Sequence, residues 1–183
     1  MMFNSIASGT RTACRRAIDR FAQEEKGAVL VELSLVAPFL LLLSAGVFEF
    51  SNILHTRLLI EAGVEDAARY LARCPRSSWT DCIISAKNLA VSGTIDGTGD
   101  ARVANWTSDA VAVSPSAACT DTGTLCFATT DDSGTELYRS NSNMVMVVQV
   151  STSFDYVGTG LWSYLGFGAL TITASHEERV LGS

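Results

Sequence analysis

The chain has 183 residues, of which 48% are hydrophobic and only 17% charged, and it carries a net charge of −6, a pI of about 4.8 and a mean hydropathy of +0.25. Disorder is excluded, because disordered chains are poor in apolar residues and rich in charge, and a nucleic-acid partner is disfavoured, because a polyanion repels an acidic chain. The length fits one domain, or one small domain with an appendage.

Charge and apolarity are sharply partitioned along the sequence. Residues 1–27 are polar and basic, with Arg11, Arg15, Arg16, Arg20 and Lys26 against Asp19, Glu24 and Glu25. Residues 28–48, AVLVELSLVAPFLLLLSAGVF, hold one charge, Glu32. A helix rises about 1.5 Å per residue, so roughly 20 residues cross the hydrocarbon core of a bilayer. This stretch is therefore expected to be a transmembrane helix, and membrane lipid a partner. Downstream, Arg57 is the first basic residue and acids dominate. By the positive-inside rule, residues 1–27 belong in the cytoplasm and the rest of the chain outside it.

From 49 to 75 the helical pattern continues. Ile53, Ile60, Val64, Ala67 and Leu71 fall on one narrow stripe, which wants a partner surface. Arg57, Glu61, Glu65, Arg69 and Arg73 follow at every fourth position on another face. Arg57–Glu61 and Glu65–Arg69 are opposite-charge pairs that support a helix. Pro75 ends it.

Residues 76–183 change period. A short helix is expected over 81–91, closed by Gly93. The segment 144–154, MVMVVQVSTSF, is apolar at its even positions and turns polar at Gln149, Ser151 and Ser153, as a strand with one buried face should be. Leu170, Ile172 and Ala174 alternate with Thr171, Thr173 and Ser175 in the same way, and Val111 and Val113 suggest a shorter strand. Turns fall at 94–100 and 130–134. The expected fold is α+β: one long N-terminal helix, continuing into a head with a small antiparallel sheet whose apolar face the helix covers. Residues 1–27 form the leader, 28–48 the membrane span, 49–75 its extension and 76–183 the head.

Cys74, Cys82, Cys119 and Cys126 lie on the outer side, where disulfides persist. Of the three possible pairings, Cys74–Cys82 and Cys119–Cys126 are expected because both close local loops. A metal site is the weaker alternative: neither pair has C-x-x-C spacing and neither histidine, His55 or His176, stands near at ligand spacing. No metal or other cofactor is expected.

The most informative residues are Lys26-Gly27-Ala28-Val29-Leu30-Val31-Glu32. An ordinary secretory signal is cut after its apolar segment. Here a Lys-Gly pair precedes the apolar segment and a carboxylate follows shortly after. This order resembles a type IV prepilin. The resemblance implies that a membrane prepilin peptidase cuts after Gly27, so that the mature chain begins at Ala28 and keeps its apolar helix. A carboxylate at the bilayer edge should have a partner, and the amine freed at Ala28, one helical turn from Glu32, can neutralise it.

Further along, Glu32-Leu33-Ser34-Leu35-Val36-Ala37-Pro38-Phe39 with its Leu-rich run, Gly46-Val47-Phe48-Glu49-Phe50, and Ala62-Gly63-Val64-Glu65-Asp66-Ala67-Ala68-Arg69-Tyr70 resemble the TadE-like family. These are minor pilins, or pseudopilins, of bacterial tight-adherence (Flp-type) pili. Leu33 stands where the family usually carries an aromatic. The resemblance implies a pilin-like fold and an inner-membrane protein with a periplasmic head that acts in pilus biogenesis. Its partners would be the prepilin peptidase, the major Flp-type pilin, other minor pilins and the inner-membrane assembly platform. Glu32, Pro38, Glu49 and Phe50 are the candidate helix-packing residues. Pro38 is expected to bend the helix or simply to be tolerated in a bundle, and Glu49 to be a solvated residue at the outer boundary.

Catalysis is not expected. His176-Glu177-Glu178 lacks the H-E-x-x-H spacing of a zinc site. Asp96, Asp100, Asp131 and Asp132 sit in polar turns that match no twelve-residue calcium loop. Trp79, Trp106 and Trp162 are expected in the core or at its rim. A second function class stays open: a membrane-tethered or secreted binding domain without a filament role. It would be released if Ser44-Ala45-Gly46 were cut by a conventional signal peptidase.

Overall fold

The computed structural model describes residues 25–140, 143–158, 160, 166 and 168–181. Most of the expected leader and Trp162 lie outside the described residues.

Helix α1 runs from Glu25 to Ala72. The boundary between two compact units falls within it, between Phe48 and Glu49. In the second unit α1 buries Ile60, Val64, Ala67, Ala68 and Leu71 completely, the stripe that the periodicity marks. Ile53 at its start is half-buried. Arg57 and Glu61 pair at 2.8 Å on the exposed flank, and Arg69 pairs with Glu65. α1 ends before the proline: the N–H groups of Arg73 and Cys74 bond the Tyr70 and Leu71 carbonyls, and Pro75 opens a 3-10 turn over Arg76–Ser78. The Leu181 N–H donates to the Ala72 carbonyl at 2.7 Å, so the chain's far end satisfies one of the helix's orphan acceptors.

Helix α2, Trp79–Ser92, buries Trp79, Cys82, Ala86 and Ala90 at helical spacing, and Gly93 caps it with φ 76°. It approaches α1 closely at Gly63. A Cβ there would overlap the Ala90 carbonyl oxygen and come within 2.8 Å of the Trp106 ring. Asp66 of α1 reaches Arg102 at 2.6 Å, tying the segment after α2 back to the helix.

The sheet has four strands: β1 (Val111–Ser114), β2 (Cys126–Ala128), β3 (Met144–Tyr156) and β4 (Leu170–Arg179). All pairings are antiparallel and all are made to β3. On one edge of β3 lie β2, with Cys126 opposite Met146, and then β1, with Val111 opposite Thr152; on the other lies β4, with Val150 opposite His176. Met146, Val148, Val150 and Phe154 are buried, the even face that the alternation predicts. Val145 is buried as well, an exception beside the short β2. The core joins this face to α1, α2 and Trp106. The Trp106 indole N–H donates to Thr152 Oγ1 at 3.1 Å, and that hydroxyl donates to the Ala110 carbonyl at 2.8 Å. A polar atom brought into the core is thus satisfied twice over.

The fold is α+β, with a long N-terminal apolar helix followed by a small antiparallel sheet. Several element ends differ from expectation. α2 covers Trp79–Ser92 where 81–91 is expected, and β3 runs to Tyr156, two residues past the expected end. β2, which no sequence pattern marks, has only three residues, too short to show alternation. β4 continues through His176–Arg179, because its pairing to β3 carries it past the point where its side chains become charged.

Cys74 and Cys82 are joined with Cα atoms 6.5 Å apart, and Cys119 and Cys126 with Cα atoms 6.0 Å apart. The first bond staples the end of α1 to α2, and the second pins β2 to the loop before it.

Close packing at Gly63 gives a direct test. Gly63→Val should destabilise the protein by about 1–3 kcal/mol through overpacking. The expected readout is a lower denaturant midpoint for the detergent-solubilised chain.

Candidate functional site

Most of the residues that the sequence marks as functional lie along α1. Gly27 and Ala28 are in its first turns and Glu32 lies one turn beyond Ala28. The Glu32 side chain is exposed. Around and after it the large apolar side chains are exposed too: Val29 at 62%, Leu35 at 74%, Leu41 at 72%, with Phe39 and Val47 alike. Residues 29–72 form a helix long and apolar enough to cross a membrane, and its most apolar window has no side chain buried within the protein. Water does not tolerate such a surface at this length, so lipid or other apolar helices must cover it.

A helix pairs most of its backbone groups within itself, as a low-dielectric setting demands. Pro38 lies inside the helix and removes one backbone donor. Ser34 Oγ donates to the Val31 carbonyl at 2.7 Å and Ser44 Oγ to the Leu40 carbonyl at 2.8 Å, so neither hydroxyl needs a solvent partner.

Glu49 is where expectation and structure part. It was expected to be solvated at the boundary; instead it is 1% exposed. The cause is its place on the helix. Steps of three and four residues carry the buried stripe from Leu71 back through Val64, Ile60 and Ile53 to Glu49. Its carboxylate meets the end of β3. The Tyr156 phenol donates a hydrogen bond to it, and the Tyr156 pKa is raised above 10.0, first by burial and then by the negative charge and hydrogen bond of Glu49. Gly158 closes the site: a Cβ there would overlap Glu49 Oε1 and stand 3.0 Å from the Tyr156 ring. A side chain at this position would displace the Glu49 carboxylate. A buried carboxylate is costly unless hydrogen-bonded, and Tyr156 supplies that bond. No sequence signal joins Glu49 to Tyr156; an acid on an otherwise apolar stripe was the available clue. Phe50, the neighbouring candidate, is 59% exposed and on a different side of the helix. The sequence-marked residues are therefore not brought together in one pocket: they line one helix, and only Glu49 joins the folded head.

The acidic turns are accounted for locally. Asp131 has its pKa lowered first by the Ser133 hydroxyl and then by the Thr135 N–H, and Asp96 first by the Thr98 N–H and then by its hydroxyl. These are side-chain-closed turns. Among the described residues no group of three or more His, Cys, Asp or Glu side chains is placed to hold a metal ion.

Comparison with known families gives one match. Residues 27–69 match the family model described as TadE-like protein. The matched span contains Gly27, Ala28, Glu32, Pro38, Glu49 and Phe50 and ends near the close of α1. No curated protein and no solved structure matches the chain.

Tyr156 makes the Glu49 site testable. The folded state holds the phenolic proton more tightly than the unfolded chain does. Its contribution is therefore complete below the unfolded pKa of about 10 and is lost as pH rises through the folded value. Tyr156→Phe should cost about 1–3 kcal/mol at neutral pH. It should also flatten the loss of stability above pH 10 relative to wild type, measured as denaturant midpoints across pH 8–11.5.

Proposed function

We propose that this chain is a minor pilin, or pseudopilin, of a tight-adherence pilus, cut by a prepilin peptidase after Gly27 and acting in pilus biogenesis for surface adhesion. The observation that carries this reading is a pairing of two facts. The TadE-like match spans the apolar helix from Gly27 onward, and that helix presents an uncovered apolar surface and then enters a compact α+β unit. An anchor that only tethers a domain needs length and apolarity. It does not need a Lys26-Gly27 junction ahead of the span or a carboxylate at its start.

Within this reading, residues 1–27 are a cytoplasmic leader and the second unit is a periplasmic head on a single-pass inner-membrane protein. Cleavage frees an amine at Ala28, and the helix places Glu32 one turn away. A charged pair at this spacing lowers the cost of holding a carboxylate at the bilayer edge. If the amine belongs to a neighbouring subunit, the same pair sets the axial register between helices. The major pilin, other minor pilins and the assembly platform are the partners that such a helix would meet. The role is structural, with the exposed helix for bundling and the disulfide-stapled head for selection or capping.

Mass spectrometry of the mature protein from its native host should give Ala28 as the N-terminal residue, and Gly27→Val should leave the longer precursor on a gel. An N-terminus at Val47 would support a released domain, and one at Met1 or Met2 a plain anchor. Glu32→Ala should still be cleaved and inserted, but piliated cells, counted by electron microscopy, should be lost. Normal piliation of that strain contradicts the register role of Glu32.

A further inference from the structure

Four large apolar side chains that the core does not cover gather at one end of the second unit. Phe50 and Leu54 are exposed one turn apart on α1, and Val157 and Leu170 are exposed where β3 ends and β4 begins, Val157 at 79%. Two observations bring these pairs to the same end. A Cβ on Gly158, the residue after Val157, would overlap Glu49 Oε1, and Glu49 precedes Phe50. Tyr156, which bonds Glu49, stands directly opposite Leu170 in the ladder. Residues directly opposite share one face of a sheet, so Leu170 stands on the side that α1 covers.

Charge is missing there. Residues 50–56, FSNILHT, hold no Asp, Glu, Lys or Arg, and residues 156–175 are the longest such run in the chain. By sequence that run holds Trp162 and Tyr164, the residue types enriched where membrane meets water. Other exposed apolar side chains of the unit stand singly among charges. Ile84 lies between Asp81 and Lys87, and Leu137 between Glu136 and Arg139. Scattered residues of this kind need no partner.

The distance along α1 selects the occupant. At about 1.5 Å per residue, Phe50 and Leu54 come about 3 and 9 Å after Phe48. The headgroup layer on each side of a bilayer is roughly 5–8 Å thick. With residues 28–48 as the span, the reading on which this inference rests, the two side chains reach that layer and its edge. We infer that Phe50, Leu54, Val157 and Leu170 form a second lipid-contacting surface, by which the end of the β3–β4 hairpin seats in the headgroup layer. Four partly exposed side chains are too few for a stable protein partner, which buries roughly 800 Å² on each side. Lipid needs no such area, because the span already holds the surface at the bilayer and the contact is in effect intramolecular. Ser51, Asn52 and His55, on the other side of α1 at this level, are polar and exposed, so the apolar contact is one-sided.

The test uses the full-length protein, one copy per lipid nanodisc, with a fluorophore placed in turn at Val157, Leu170, Leu137 and Leu35. Leu137 is the control within the unit, bonded through Thr129 to Asn143 at the opposite end of β3. Lipids spin-labelled on the headgroup should quench the fluorophore at Val157 and Leu170 and leave the one at Leu137 bright. Lipids spin-labelled in mid-chain should quench the one at Leu35. Val157→Asp, at a position outside the core, should abolish headgroup quenching at Leu170 and leave quenching at Leu35 unchanged. Quenching at Leu35 with none at Val157 and Leu170 overturns the inference and leaves the span standing, whereas no quenching at Leu35 overturns both. Equal quenching at Leu137, or shielding of Val157 and Leu170 that arises only when two copies share a disc, also overturns it, the latter in favour of a second copy.

Discussion

The apolar side chains of α1 from Val29 to Val47 stay exposed, and that uncovered surface governs the other features of the molecule. A helix of this length and hydropathy cannot be stable as a lone surface in water. It must be solvated by lipid, by other helices, or by each in turn. The same helix, past Phe48, has to serve as one wall of a water-soluble core. One sequence meets both demands by narrowing its apolar surface from the whole circumference to a single stripe, with Arg57, Glu61, Glu65 and Arg69 taking over the other faces.

The change of regime is marked by Glu49. The carboxylate is the first residue of the second unit, and it is buried against Tyr156 and Gly158. It fastens the end of β3 to the start of the head's portion of α1. At the other end of that portion, Leu181 bonds Ala72 and the Cys74–Cys82 bond reaches α2. The head is thus held to α1 near both ends of their shared length, with Gly63 letting α2 lie close between them.

The sequence disclosed the elements with a strong period and hid those without one. The apolar run, the buried stripe from Ile60 to Leu71 and the even face of β3 are all periodic, so each could be read directly. β2 could not, since three residues show no alternation. The last part of β4 was hidden because His176-Glu177-Glu178-Arg179 looks like a solvated terminus; only its pairing with Val147–Val150 makes it a strand. Glu49 was misplaced for a related reason. Charge argued for solvent, while the helical spacing argued for the core, and the deciding partner, Tyr156, is remote in the chain. In the functional region the legible part was the junction at Gly27 and the apolar helix, which are local in sequence.

The account rests on where water stops along α1, and spin labels read this directly. In chain reconstituted in lipid vesicles, labels at Leu35 and Leu42 should be relaxed by oxygen and little affected by a water-soluble nickel chelate. A label at Asn52 should show the reverse. Strong nickel accessibility at Leu35 and Leu42 would contradict the account, because the helix would then be lying in water and its exposed apolar surface would need another explanation.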